Sequence, residues 1–297
     1  MSEEKSWLVS TEWLAAHLDA PDVVVLDASW ILPEELAPGM ETPREEYLEE
    51  HIPGALFFDI DEIADPDSPL PHMLPSPERF SSFMRKMGIG DGHRVIVYDT
   101  FAPFAAPRAW WMFRYFGHDD VAVLNGGLDK WNEEGHPVES GEPRPRQARH
   151  FTARPRRSLL ADKEQVKAAL KAGRPQVVDA RSRGRFCGTE PEPYEGIPGG
   201  HMPGAKHLHY AALINTDGTY KTPEEIAQAF REANVDPAQP AIFTCGSGVT
   251  ACTLALGAAL LGHPDHAVYD GSWLEWSQAP DTEKTTEDPV ICAGEDA

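Results

Sequence analysis

Cysteine is scarce in this sequence: four occur in 297 residues (Cys187, Cys245, Cys252 and Cys292), and no two form a Cys-x-x-Cys pair. That spacing suggests neither a disulfide framework nor a zinc site, so any cysteine that matters is expected to be a free thiol. Long apolar runs are missing as well; nothing approaches the roughly twenty residues that a membrane-spanning helix needs. The N-terminus sets Glu3, Glu4 and Lys5 ahead of a short amphipathic stretch and lacks the basic start and apolar core of a secretory signal, so a cytoplasmic location is expected. Basic residues number 26 against 48 acidic ones, for a net charge of −22. Nucleic acid and anionic membranes, which need clustered cations, are poor partners for such a chain. An anionic substrate would have to be met by a few arginines gathered in one place.

What is present is a repeat. Val23-Val24-Val25-Leu26-Asp27-Ala28 and Gln176-Val177-Val178-Asp179-Ala180 both read as buried parallel strands ending in Asp-Ala. Each is followed by a turn of one pattern, His51-Ile52-Pro53-Gly54-Ala55 and His201-Met202-Pro203-Gly204-Ala205. Val95-Ile96-Val97-Tyr98-Asp99 then matches Ala241-Ile242-Phe243-Thr244-Cys245, which sets Asp99 where Cys245 stands. Leu124-Asn125-Gly126-Gly127 with Trp131 matches Tyr269-Asp270-Gly271-Ser272 with Trp276. Strands alternating with helical patterns predict two doubly wound parallel-sheet α/β domains in tandem, over 7–140 and 158–281. Residues 141–157, rich in arginine and proline, read as an extended linker laid over an acidic surface or solvated, and 282–297 as a frayed acidic tail.

The chemistry concentrates in Cys245-Gly246-Ser247-Gly248-Val249-Thr250-Ala251-Cys252, between a strand and an apolar helix. Glycines at 246 and 248 allow consecutive N–H groups to turn inward as an anion nest, and the helix N-terminus adds positive partial charge. Such a cradle favours a sulfur anion, either a nucleophilic thiolate or a persulfide. Without the glycines, a cysteine after a strand reads as an ordinary small core residue. Arg181, Arg183 and Arg185 follow the strand ending at Asp179 and form a cationic cluster able to orient a carboxylate.

The paired domains, the two His-x-Pro-Gly-Ala turns and the cysteine loop together resemble the tandem rhodanese-domain sulfurtransferases, and the loop is similar to that of the 3-mercaptopyruvate branch. The resemblance extends to Phe57-Phe58-Asp59-Ile60-Asp61, His72-Met73-Leu74-Pro75, Pro107-Arg108-Ala109-Trp110-Trp111 and Gly188-Thr189-Glu190-Pro191-Glu192-Pro193. It implies two rhodanese-like domains, the first catalytically inactive and the second bearing the nucleophile Cys245. It implies further that Ser247 works with His72 and Asp61 of the first domain to protonate a carbon leaving group. Arg185 matches the family's substrate arginine, while Arg181 and Arg183 are expected to pair with nearby carboxylates. Gly246, Gly248, Val249 and Thr250 are the expected loop contacts to substrate. Taken alone, Asp61 reads as one of an acidic group with Asp59, Glu62, Asp65 and Asp67. One departure stands out: Tyr194 follows Pro-Glu-Pro where the mercaptopyruvate branch has a second arginine.

The expected activity is therefore transfer of sulfur from a small-molecule donor, 3-mercaptopyruvate, to cyanide, a thiol or a thioredoxin-like acceptor, with no metal and no cofactor. A thiosulfate sulfurtransferase is the alternative donor reading; its loop places cations beside the cysteine, whereas Gly246 and Ser247 are neutral. A persulfide carrier that turns over no small donor is the non-enzymatic alternative. A cysteine phosphatase would need an arginine closing the loop, where Ala251 and Cys252 stand.

Overall fold

The computed structural model describes residues 6–32, 36–37, 39–100, 104–288 and 290–292. The first five residues, read above for a signal, and the last five of the acidic tail lie outside the described residues. The chain folds as two units. Residues up to Ser68, Leu74–Arg156 and Ile214–Tyr220 form the first; Pro69–Met73, Arg157–Leu213 and residues from Lys221 onward form the second. His72 is thus grouped with the second unit, although the sequence places it among first-domain residues.

The first unit runs β1 (Leu8–Val9), α1 (Thr11–His17), β2 (Val23–Asp27), α2 (Pro43–Glu49), β3 (Leu56–Phe57), α3 (Ile60–Ile63), α4 (Pro77–Lys86), β4 (Arg94–Tyr98), α5 (Ala106–Tyr115), β5 (Val121–Leu124) and α6 (Gly127–Glu133). The second repeats it with β6 (Leu160–Ala161), α7 (Lys163–Ala172), β7 (Gln176–Asp179), α8 (Arg183–Cys187), β8 (Lys206–His207), α9 (Pro223–Glu232), β9 (Ala241–Thr244), α10 (Ala251–Leu260), β10 (Ala267–Tyr269) and α11 (Ser272–Gln278). Among the described residues every strand pair is parallel, and the two five-stranded sheets share one order, β1-β5-β4-β2-β3 and β6-β10-β9-β7-β8. The central strands are buried throughout because helices cover both faces, which is why they read as unbroken apolar runs. Helix starts are written locally: Thr42 with Glu45, Asp162 with Gln165 and Thr222 with Glu225 each close a reciprocal capping box. Asp27 pairs with Tyr98 and Asp179 with Thr244, so Asp99 and Cys245 are the first residues past equivalent strand ends.

Three expectations change. The arginine-rich segment is not a solvated connector, because Phe151 is buried against Phe80, Phe113 and His118. Its backbone lies so close to Gly88, Gly90 and Gly117 that a Cβ at those glycines would fall 2.8 Å from the Gln147, 3.0 Å from the His150 and 3.0 Å from the Arg154 carbonyl oxygen. Of its arginines, Arg156 forks onto Asp119 at 2.6 and 2.5 Å. The tail is not frayed through Cys292: Thr285 pairs with His201 in both directions at 2.8 and 3.0 Å, and Trp276 donates to the Glu283 carbonyl at 2.8 Å. Nor are all the cysteines free. Cys187 and Cys292 form a disulfide across 105 residues of sequence, with Cα atoms 5.5 Å apart, leaving Cys245 and Cys252 as free thiols.

A cross-link closing so long a loop restricts the unfolded chain most of all. Reduction, or Cys187→Ser, is expected to lower the unfolding free energy by about 2–5 kcal/mol. The shift of a urea unfolding curve with and without dithiothreitol measures it, and coincident curves would show that the two sulfurs are not bonded in solution.

Candidate active site

Strand β9 delivers Cys245 to the sheet's C-terminal edge with 2% of its surface exposed. The loop behind it is folded by its carbonyls: Cys245 O accepts from Trp273 N–H at 3.0 Å and Gly246 O from Leu274 N–H at 2.9 Å, both in the first turn of α11. With those carbonyls taken on that side, the Gly248 N–H faces the sulfur and reaches Cys245 Sγ at 3.1 Å. Gly248 sits at φ +84°, in the left-handed region, where a side chain would strain the loop. Cys252 holds the same peptide from within, its Sγ donating to the Gly248 carbonyl at 3.4 Å. Helix α10 starts at Thr250 without a side-chain cap, so its N-terminal partial charge stays with the loop. Ser247 and Thr250 are each 8% exposed, and Val249 is buried.

Ser272 anchors the cysteine from below. It accepts the Cys245 N–H at 3.1 Å and donates to the Tyr269 carbonyl at 2.8 Å, from a buried left-handed conformation at φ +49°. The sequence comparison pairs Ser272 with Gly127 but gives no sign of this bond. In the first unit Gly127 is obligatory, since a Cβ there would lie 2.3 Å from the Asp99 carbonyl oxygen.

A chain of alternating charges stands beside the loop. Asp179, at the end of β7, accepts Arg181 Nη2 at 2.6 Å and Nε at 3.1 Å. Arg181 passes Nη1 to Glu192 at 2.6 Å and Nη2 to the Gly200 carbonyl at 2.7 Å, and its guanidinium lies 4.6 Å from the Trp273 ring centre. Burial pulls the Arg181 pKa down, but Asp179 and Glu192 more than offset it and hold the group above its ordinary value. The other oxygen of Glu192 takes Arg185 Nη2 at 2.6 Å and Nε at 3.2 Å. Arg185 is thereby pressed against the cysteine loop: a Cβ at Gly246 would fall 2.5 Å from its Nη2. Arg181 pairs with carboxylates as expected, and Arg183 Nε donates to the Ile291 carbonyl at 2.7 Å. Glu192 was visible only as part of a Pro-Glu-Pro motif; its role as a two-arginine bridge had no sequence signal of its own.

His72 is buried and also left-handed, at φ +59°, with Nε2 3.4 Å from the Tyr194 hydroxyl. The structure therefore brings His72 and Tyr194 together in the second unit, as it does Cys245, Gly246 and Arg185. Asp61 belongs to the first unit. It lies exposed on α3, where its Oδ2 accepts the Trp30 indole N–H at 2.8 Å.

In the first unit the position equivalent to Cys245 holds a carboxylate in a cradle of the same kind. Asp99 Oδ2 accepts the N–H groups of Phe104 at 2.7 Å and Ala105 at 3.1 Å, and Oδ1 that of Ala106 at 2.6 Å. Burial pushes this carboxyl well above its ordinary range while the three N–H groups pull it back. Among the described residues no three His, Cys, Asp or Glu side chains gather as a metal site, and no helix is long and apolar enough to cross a membrane.

The rhodanese-like domain family matches residues 10–134 and again 162–279. The thiosulfate sulfurtransferase of Cricetulus griseus is 48% identical over 281 residues, covering 92% of this chain and 93% of that protein. The human 3-mercaptopyruvate sulfurtransferase is 46% identical over 275 residues, covering 91% of each. Among solved structures, that of SseA from Escherichia coli, described as a 3-mercaptopyruvate sulfotransferase, superposes with a TM-score of 0.82 at 37% identity, over 90% of this chain and 99% of that one. Two copies of one fold, a cysteine loop at the end of the second sheet and near-full-length likeness to both kinds of enzyme converge: the chain belongs to the tandem rhodanese-domain sulfurtransferases.

Proposed function

We propose that the protein moves a sulfane sulfur from 3-mercaptopyruvate, through a persulfide on Cys245, to a thiol or cyanide. The observation that carries this reading is the Arg185 guanidinium, held by Glu192 against a side-chain-free Gly246 beside Cys245. One oriented guanidinium fits a carboxylate. Cys245 thiolate attacks the donor sulfur, the carbon–sulfur bond breaks, and its electron pair stays on carbon as the enolate of pyruvate. That carbanion needs a proton. Ser247 delivers it, with His72 behind it. The persulfide left on Cys245 remains in reach of the Gly248 N–H and the α10 N-terminus until an acceptor thiolate or cyanide attacks its outer sulfur.

A second donor, thiosulfate, is favoured by a different aspect of the same geometry. Although Gly246 and Ser247 are neutral, Arg185 brings a cation to the loop, and Tyr194 supplies no second charge to a carboxylate clamp. Purified protein assayed with each donor and cyanide, followed by intact mass for one added sulfur, separates the readings.

Cys245→Ser is expected to abolish transfer and persulfide formation, whereas Cys252→Ser keeps the donor to Gly248 and retains activity. Full activity in Cys245→Ser would end the proposal.

His72→Ala and Ser247→Ala are expected to slow mercaptopyruvate turnover by about 10²-fold or more, the usual worth of a positioned proton donor. Thiosulfate, whose leaving sulfite needs no carbon protonated, should suffer far less; equal losses on both donors would remove the relay.

Tyr194→Arg is expected to raise kcat/KM for mercaptopyruvate by roughly tenfold, the lower end of what a charge-assisted hydrogen bond of about 1.5–3 kcal/mol supplies when solvent screens it. Arg181 does not already fill that place, because it is buried and committed to Asp179, Glu192 and Gly200. An unchanged kcat/KM would show that position 194 does not meet the donor.

A further inference from the structure

Helix α8 is only five residues long, too short to hold itself together in water, so its shape depends on what grips it. Its residues divide by face. Arg183 and Cys187 are four apart and share one side, which the C-terminal segment covers: Arg183 donates to the Ile291 carbonyl at 2.7 Å and Cys187 is bonded to Cys292. Arg185, two residues from each, turns the other way, to Glu192 and Gly246. The helix that aims Arg185 is therefore backed by the segment that the disulfide fastens.

That segment is latched locally. Up to Thr285 it is held by its pairing with His201 and by Thr282, whose hydroxyl donates to the Trp276 carbonyl at 2.6 Å. Beyond that point, Asp288 accepts the Val290 and Ile291 N–H groups at 2.8 Å each, and its carbonyl accepts that of Cys292 at 2.8 Å. In this last turn Val290 is 82% exposed while Ile291 and Cys292 pack half-buried against the core of the second unit, and Cys187 beneath them is 8% exposed. Of the two bonded cysteines, Cys292 is the less buried and so the one a thiolate reaches first.

We propose that the Cys187–Cys292 disulfide is a thiol-exchange site that takes a protein dithiol of thioredoxin-like chemistry, and that reducing it loosens the hold of Arg185 on the donor; the second part rests on the role proposed above for Arg185. A thiolate of the reductant attacks Cys292 Sγ, the S–S bond breaks, and its electron pair leaves on Cys187 Sγ, which takes a proton. The reductant's second thiolate then attacks its own sulfur in the mixed disulfide and releases Cys292 as a thiolate, protonated in turn. Two electrons and two protons pass to the protein, and the dithiol ends as a disulfide.

The test uses the full chain, oxidised and freed of persulfide by cyanide. A thioredoxin whose second active-site cysteine is replaced by serine should be trapped on it as a mixed disulfide, and peptide masses should place the link at Cys292. No adduct, or one at Cys187, would overturn the site. In the cyanide assay, Cys292→Ala should raise the KM for the preferred donor by about three- to tenfold with kcat changed less than about twofold, the pattern of lost ground-state binding. Wild type pretreated with dithiothreitol, then freed of it, should show the same KM, and pretreatment should leave Cys292→Ala unmoved. A KM equal to that of the oxidised wild type in both would overturn the coupling to Arg185. If neither donor yields transfer, the role of Arg185 falls with the function, and the trapping result alone decides the exchange site.

Discussion

One carboxylate shared between two guanidinium groups organises the second unit. Glu192 stands with its side chain 1% exposed between Arg181, which is fully buried, and Arg185, which is not. Asp179 closes the series at the end of β7, so charges alternate from the sheet edge to the cysteine loop. Removing one member of such a series strands a buried charge, at a cost of about 3–5 kcal/mol. The arrangement fixes the end of β7, the Pro-Glu-Pro segment, Gly200 and Arg185 relative to one another. The loop of Cys245 then needs no cation of its own.

The two units show the same backbone turned to different ends. Past equivalent strand ends, one turns the Gly248 N–H to a sulfur and the other gives three N–H groups to the side chain of Asp99. Asp99 satisfies three donors at once, so the cradle of the first unit is already occupied by a side chain it cannot release. The residue across from it follows suit: Gly127 must lack a side chain to let the Asp99 carbonyl approach, while Ser272 uses its hydroxyl to hold the Cys245 amide.

The duplicated sheets were legible in the sequence because buried parallel strands leave continuous apolar runs, and four matched landmarks fall in one order. The cysteine loop was legible because Gly246 and Gly248 bracket a serine just after a strand. Other features depend on residues distant in sequence and carry no local mark. Cys187 and Cys292 are 105 residues apart and lie in no spacing pattern. Phe151 is a lone aromatic among arginines, so its burial follows only from the ring cluster of Phe80, Phe113 and His118 that receives it. The grouping of His72 with the second unit reflects how the short Pro69–Met73 segment packs, which strand and helix periods do not encode.

The strap from Gln147 to Arg156 changes where the chain can be divided. By sequence repeat the first half stops at α6, yet the strap seals the aromatic cluster beneath α4 and α5 and donates the Arg154 and Arg156 N–H groups to the Phe116 and Tyr115 carbonyls at 2.7 Å each. A first unit severed at residue 140 would lose a piece of its own core and bare Phe80 and Phe113 to water. The sequence repeat and the compact unit therefore do not end at the same residue: the repeat stops at α6, whereas the long stretch of the first unit that begins at Leu74 runs on to Arg156.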